Sequence, residues 1–228
     1  MRLIYQPYKW FIVVPFVFAN TMILGLVCIL TDLFLGRSRV NGVAVLWAKL
    51  CCAVVPLRIR VRGRRHYNAQ TPYVVVANHQ SMADIPALHA SLGLNIKWVM
   101  KKELSDIPVF GQACSHLGCI SVDRSDHNAA MRSIQSAKQQ LPQNACVLFF
   151  AEGTRSRNKE LGPFKKGAFR FAMDMNLPIL PVTVQNSADI LPSDSLDLTF
   201  GTVDIRVHPP IPPKSYHKIG LNRLMEQT

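Results

Sequence analysis

From Trp10 to Thr31 the chain carries no charged residue. A charge-free run of about 20 residues is the length a helix needs to cross the hydrocarbon core of a bilayer. Lys9 precedes the run and Asp32 follows it, while Pro15, Asn20 and Thr21 interrupt its apolar character. A second apolar run, Val40 to Pro56, is broken only by Asn41 and Lys49. The polar turn Gly36-Arg37-Ser38-Arg39 joins the two. The sequence therefore predicts an N-terminal hairpin of two apolar helices over residues 1–56, spanning the membrane or immersed in one leaflet. A secretory signal is the other reading of the first run. No convincing small-residue cleavage site follows it, and cleavage would discard half the hairpin, so a retained anchor is favoured.

Charge is distributed against this apolar background. Lys and Arg number 26 against 14 Asp and Glu, for a formal net charge of +12, yet 49% of residues are hydrophobic. That apolar fraction excludes a disordered chain. It leaves a basic globular protein that sits at an anionic membrane surface or binds an anionic ligand. Five arginines fall between Arg58 and Arg65, directly after the hairpin. A juxtamembrane basic cluster predicts placement on the cytoplasmic face and attraction to anionic lipid. Leu57, Ile59 and Val61 alternate with Arg58, Arg60 and Arg62, so the same residues also read as a half-buried strand with a solvated face. The arginines and the net charge are the only support for nucleic-acid binding, and no recognition motif accompanies them. The six cysteines form no C-x-x-C pair and sit mostly in apolar runs, which suits a reducing compartment. Cys114, His116, Cys119 and His127 fit no standard zinc spacing, so no metal is expected.

Residues 57–228 alternate short apolar runs with helical stretches, which argues for an α/β domain with a mostly parallel sheet flanked by helices. Strands are predicted at Tyr73–Ala77, Ile96–Met100, Cys119–Val122, Cys146–Ala151, Leu177–Val184 and Val203–Val207, and helices at Asp84–Ser91, Asn128–Leu141 and Phe164–Met175. Polar clusters follow four of these strands directly: Asn78-His79, Lys101-Lys102, Asp123-Arg124 and Glu152-Gly153-Thr154-Arg155. In a parallel sheet the carboxyl ends of the strands share one edge, where ligands bind. The four clusters thus form one site if those strands are parallel.

His79 and Asp84 stand five positions apart, about 140° apart on a continuous helix. A strand-to-helix turn can instead bring them together, with Asp84 fixing the tautomer of His79 and leaving its other nitrogen as a general base. Ser81-Met82-Ala83-Asp84 also fits a helix capping box, in which Asp84 caps and His79 is merely polar. Spacing alone leaves both open.

The ordered set of motifs resembles the glycerolipid acyltransferases, in particular the 1-acylglycerol-3-phosphate acyltransferases. Asn78-His79 with Asp84 resembles the family's NHxxxxD motif. Gly118 to Arg124 resembles the second motif, with Ser121 where an aromatic residue is usual. Phe150-Ala151-Glu152-Gly153-Thr154-Arg155-Ser156 resembles the third, with Ala151 where proline is usual. Leu180-Pro181-Val182 resembles the fourth, and the likeness runs from about Arg58 to Val184. It implies acyl transfer from a thioester, acyl-CoA or acyl carrier protein, to the sn-2 hydroxyl of a lysophospholipid, giving phosphatidic acid in phospholipid biosynthesis. No further cofactor is implied. His79 is then the base oriented by Asp84. Glu152, Gly153, Thr154 and Arg155 form the acceptor-binding block, and Arg124 and Lys101 supply further positive charge for a phosphate. The rival readings are a family member acting on another lysolipid or hydroxyl, and a non-catalytic membrane-binding protein on the same fold.

Overall fold

The computed structural model describes residues 2–156, 160–193 and 197–228. Helix α1 (Arg2–Tyr8) continues through a π-helical turn, Lys9–Val13, into α2 (Val14–Leu35). The π turn sits just before Pro15, whose missing N–H breaks the regular i→i−4 ladder. Tyr5–Leu35 is long and apolar enough to cross a membrane, with a mean hydropathy of 2.4 over its most apolar window. Gly36, at φ 85°, ends α2, and α3 (Val40–Val54) runs back along it. Trp47 Nε1 donates to Thr21 Oγ1 at 3.0 Å, and Asn20 Nδ2 donates to the Trp47 carbonyl at 3.2 Å. These bonds satisfy polar groups inside an otherwise apolar seam. The expectation of two membrane helices narrows here. Among the described residues only Tyr5–Leu35 has spanning length, while α3 buries Val40, Ala48, Cys51 and Cys52. It packs on the α/β core beneath it.

That core comprises β1 (Leu57–Arg62), β2 (Val74–Ala77), α4 (Asp84–Ser91), β3 (Asn95–Lys101), α5 (Phe110–Leu117), β4 (Ile120–Val122), α6 (His127–Gln140), β5 (Ala145–Phe150), α7 (Gly167–Met175), β6 (Ile179–Gln185), α8 (Ser187–Ile190), β7 (Gly201–Val207) and α9 (Pro213–Gln227). The strands form one sheet in the order β1-β7-β6-β2-β5-β3-β4. β6, β2, β5, β3 and β4 are mutually parallel, while β7 is antiparallel to β6 and carries β1 parallel to itself. The central strands β2 and β5 read as unbroken apolar runs because both their faces are covered. One face packs Val75, Ala77, Leu148 and Val182 under α3 and α4; the other packs Val76, Phe149 and Ile179 under α7 and α9.

The arginine strand is β1, and its burial alternates as expected. Leu57, Ile59 and Val61 join the face that also holds Val13, Trp47 and Val54 from the N-terminal helices. Arg58, Arg60 and Arg62 therefore point to the opposite face of the sheet, away from α2 and α3. Helix α7 starts at Gly167, three residues later than the pattern suggests, because the backbone of Lys165 is engaged with Ala151, 2.8 Å from N–H to carbonyl. Helix α9, kinked at Gly220, lies beyond the elements the pattern marked.

Candidate active site

The four polar clusters do share an edge. Register places Ala77 beside Phe150 in the adjacent strands β2 and β5, so the residues that follow, His79 and Glu152, meet at once. β3 and β4 continue the same edge with Lys101-Lys102 and Asp123-Arg124.

His79 is held by three contacts of different kinds. Its Nδ1 lies 2.8 Å from Asp84 Oδ2. Asp84 is fully buried, and a carboxylate only accepts, so Nδ1 carries the proton and Nε2 is left as an acceptor. The imidazole stacks on the Phe150 ring, with centroids 3.8 Å apart and planes 12° from parallel. The backbone N–H of His79 donates to Glu152 Oε1 at 2.9 Å. The Asp84 oxygen that holds the imidazole also accepts from the backbone N–H groups of Gln80, at 2.8 Å, and Ser81, at 2.9 Å. Ser81 Oγ accepts from the Ala83 N–H at 3.0 Å. The turn-capping and base-orienting readings of Asp84 are thus one arrangement: the carboxylate closes the turn into α4 and fixes His79 with the same atom. Asn78 is spent on the scaffold, its amide bonding both the N–H and the carbonyl of Val184 on β6.

The loop after β5 carries the remaining residues. Glu152 is buried, with Oε1 on the His79 N–H and Oε2 accepting from the Gly162 N–H at 3.0 Å. Gly153 adopts φ 73°, and a Cβ there would come within 3.0 Å of Lys165 Cδ, so the lysine stem lies across this glycine. Arg124 Nη1 donates to the Gly153 carbonyl, which carries it across β3 to the same loop, and burial lowers the pKa of its guanidinium. Thr154 is exposed. Arg155 is half-buried and makes no hydrogen bond or ion pair among the described residues. Lys101 stands at the edge in solvent, its ammonium 2.7 Å from Glu103 Oε1. Lys102 reaches Asp123 at 3.5 Å, and the Ser125 hydroxyl and N–H hold that carboxylate's pKa down at about 2.

The edge therefore combines an oriented imidazole with a free acceptor nitrogen and several guanidinium and ammonium groups on neighbouring loops. It can take a proton from a hydroxyl and hold a phosphate. The stacking of Phe150 on His79 and the passage of the Lys165 stem across Gly153 are contacts that the sequence pattern does not mark. His116 bonds Asp32 at 2.8 Å, and no group of three or more metal-ligating side chains occurs among the described residues. The side chain of His127 lies outside the described residues.

Comparison with known proteins follows the same residues. The family model described as Acyltransferase matches residues 58–185. A chloroplastic 1-acyl-sn-glycerol-3-phosphate acyltransferase of Brassica napus is 36% identical over 178 residues, 77% of this chain and 51% of the relative. The 1-acyl-sn-glycerol-3-phosphate acyltransferase alpha of Homo sapiens is 35% identical over 157 residues, 68% of this chain and 56% of the relative. The Helicobacter pylori 1-acyl-sn-glycerol-3-phosphate acyltransferase is 39% identical over 125 residues, 54% of this chain and 53% of the relative. The chain spans about half the length of the curated relatives it matches. The crystal structure of the 1-acyl-sn-glycerophosphate acyltransferase PlsC from Thermotoga maritima has the same fold. It superposes with a TM-score of 0.76 at 23% identity, over 100% of this chain and 97% of that one.

Proposed function

Because the chain belongs to the acyltransferase family, we propose that it transfers a fatty acyl group from a thioester to the sn-2 hydroxyl of 1-acylglycerol-3-phosphate, giving phosphatidic acid. The observation that carries this reading is the 2.8 Å contact of His79 with buried Asp84 at the edge where the parallel strands end. An alcohol is a weak nucleophile until a base takes its proton as it attacks. Nε2 of His79 removes that proton, and the hydroxyl oxygen bonds to the thioester carbonyl carbon. The tetrahedral intermediate collapses with cleavage of the carbon–sulfur bond, and the departing thiolate recovers the proton from His79. Asp84 stabilises the imidazolium formed between these steps. No enzyme nucleophile is needed, and the chain contains no G-x-S-x-G elbow that would suggest one.

Arg155 binds the acceptor phosphate, with Arg124 and Lys101 adding positive potential from the adjacent strands and Gly153 and Thr154 shaping the loop. Glu152 serves the same block by holding it to His79. The donor is acyl-CoA or acyl carrier protein. Residues 1–56 form the membrane anchor, α2 with α3 beside it, and residues 57–228 the acyltransferase domain on the cytoplasmic face of an anionic membrane. Purified protein offered a panel of lysolipid acceptors with both thioester donors tests the reading. The expected product is phosphatidic acid; a preference for a lysolipid without a phosphate monoester would replace it.

A further inference from the structure

Alternation along β1 leaves Arg58, Arg60 and Arg62 exposed on the face of the sheet that turns away from α2 and α3. Register sets Thr202, Asp204 and Arg206 of β7 beside them on that face, with Gln185 and Thr183 of β6 beyond Asp204 and Arg206. The patch therefore carries four guanidinium groups against one carboxylate. None of the four makes a hydrogen bond or ion pair among the described residues. Asp204 stands opposite Arg60, yet it accepts from Asn186 Nδ2 at 2.9 Å instead. Arg62 stands opposite Arg206, and like charges on directly opposed residues destabilise a strand pair. A local rule broken with no compensating gain inside the fold marks a surface kept for function.

The surroundings select the occupant. The patch offers a bilayer no apolar side chain to bury, and Val13 and Val17 of the membrane-length helix pack on the opposite face of the sheet. It holds no aromatic ring on which the bases of a single-stranded nucleic acid could stack. What remains is an acidic protein. Arginines on every second residue of a strand stand about 6.6 Å apart. Carboxylates one turn apart on a helix stand about 5–6 Å apart, close to that repeat. Position then connects the patch to the site. The Asn78 amide bonds Val184 of β6, Val184 pairs with Ile205 of β7, and Ile205 pairs with Val61 of β1. Arg60 and Arg62 are thus level with the turn that carries His79, three strand spacings or about 14 Å to the side. A thioester on the long pantetheine arm of a carrier protein spans such a distance.

We infer that the arginine face of β1 and β7 is a docking surface for an acidic acyl carrier protein, held by Arg58, Arg60, Arg62 and Arg206 while its thioester arm reaches His79. The arm's task rests on the proposed acyl transfer; the docking does not. Acyl-CoA, whose thioester comes without a protein, does not need this face.

The first test needs no activity. Fluorescein-labelled acyl carrier protein is titrated with full-length protein in vesicles, and anisotropy is read at low and high salt. Arg58→Gln/Arg60→Gln/Arg62→Gln weakens binding roughly tenfold or more, the matching triple lysine variant restores most of it, and salt weakens binding to the unaltered chain. Arg206→Gln, on the other strand, acts in the same direction and decides the matter if the triple variant does not fold. Carrier binding that is absent from the unaltered chain, or undiminished in the variants, overturns the inference. So does a triple variant that no longer sediments with phosphatidylglycerol vesicles, which would assign the arginines to the membrane. The second test is kinetic. The triple variant raises the KM for the carrier-protein thioester roughly tenfold and leaves that for acyl-CoA unchanged; equal effects on both donors overturn a carrier-specific surface. If the unaltered chain uses neither donor, the proposed reaction fails, and anisotropy still decides the docking.

Discussion

Replacing Asp84 by asparagine isolates the role of one oxygen. Asp84 Oδ2 accepts three hydrogen bonds, from His79 Nδ1 at 2.8 Å and from the N–H groups of Gln80 and Ser81 at 2.8 and 2.9 Å. Its Oδ1 is buried with no hydrogen-bond partner among the described residues. An asparagine that turns its carbonyl toward the three donors keeps all of them, but as neutral bonds of roughly half the strength. Its amide nitrogen then takes the place of Oδ1, where two donors go unsatisfied at a cost of about 1–3 kcal/mol. The fold should therefore survive with a lowered Tm. The larger loss falls on catalysis. The negative charge that stabilises the imidazolium is gone, and general-base catalysis contributes about 10²–10⁴-fold. In the serine-protease triad, the same carboxylate-to-amide change beside a histidine lowers kcat about 10⁴-fold. We expect kcat of Asp84→Asn to fall by about 10²–10⁴ with little change in the acceptor KM. The assay is steady-state transfer of a radiolabelled acyl group, with thermal unfolding measured on the same preparation. A folded variant whose kcat stays within about threefold of the parent refutes the orienting role.

Arg155→Ala removes a guanidinium that has no other partner among the described residues, so the acceptor KM should rise about tenfold or more while the donor KM holds; saturation curves for each substrate distinguish the two. Gly153→Ala places a Cβ at φ 73° against the Lys165 stem, so Tm should fall by the equivalent of about 1–2 kcal/mol, read by calorimetry. His89 is buried, accepts a hydrogen bond from Trp98 Nε1 at 3.2 Å, and is held neutral by desolvation, its pKa pulled down to about 3. A base depressed from 6.5 contributes stability that is complete above pH 6.5 and drains as pH falls toward 3, by about 1.4 kcal/mol per unit within that window. His89→Gln should flatten the fall in Tm between pH 7.5 and about 4.5; an unchanged slope would place the acid sensitivity elsewhere.

Much of this site was legible before any coordinates, for a physical reason. Short apolar runs ending in Asn78-His79, Lys101-Lys102, Asp123-Arg124 and Glu152 to Arg155 mark strands whose ends must hold polar groups in solvent. Parallel pairing then gathers them at one edge. The direction of β7 and β1 was not legible, because a strand's own pattern does not encode which way its neighbour runs. The same gap concealed that Arg58, Arg60 and Arg62 turn away from the N-terminal helices: alternation shows that one face is wet, not which face of the sheet that is. Phe150 looks in sequence like any buried strand residue. Its stacking on His79 depends on the register between β2 and β5, a contact 71 positions apart in the chain. Asp84 could not be divided between capping the turn and holding His79 because the choice was false; one oxygen makes both contacts.

The central claim is that His79 takes the proton from a lysophosphatidate hydroxyl as that hydroxyl attacks a thioester. Mass spectrometry of the lipid formed from acyl-CoA or acyl carrier protein thioester and 1-acylglycerol-3-phosphate, by the unaltered chain and by His79→Ala in the same vesicles, tests it most directly. The account expects phosphatidic acid from the first and at most about a hundredth as much from the second, with both proteins still bound to the membrane. Phosphatidic acid formed at an undiminished rate by His79→Ala would contradict it.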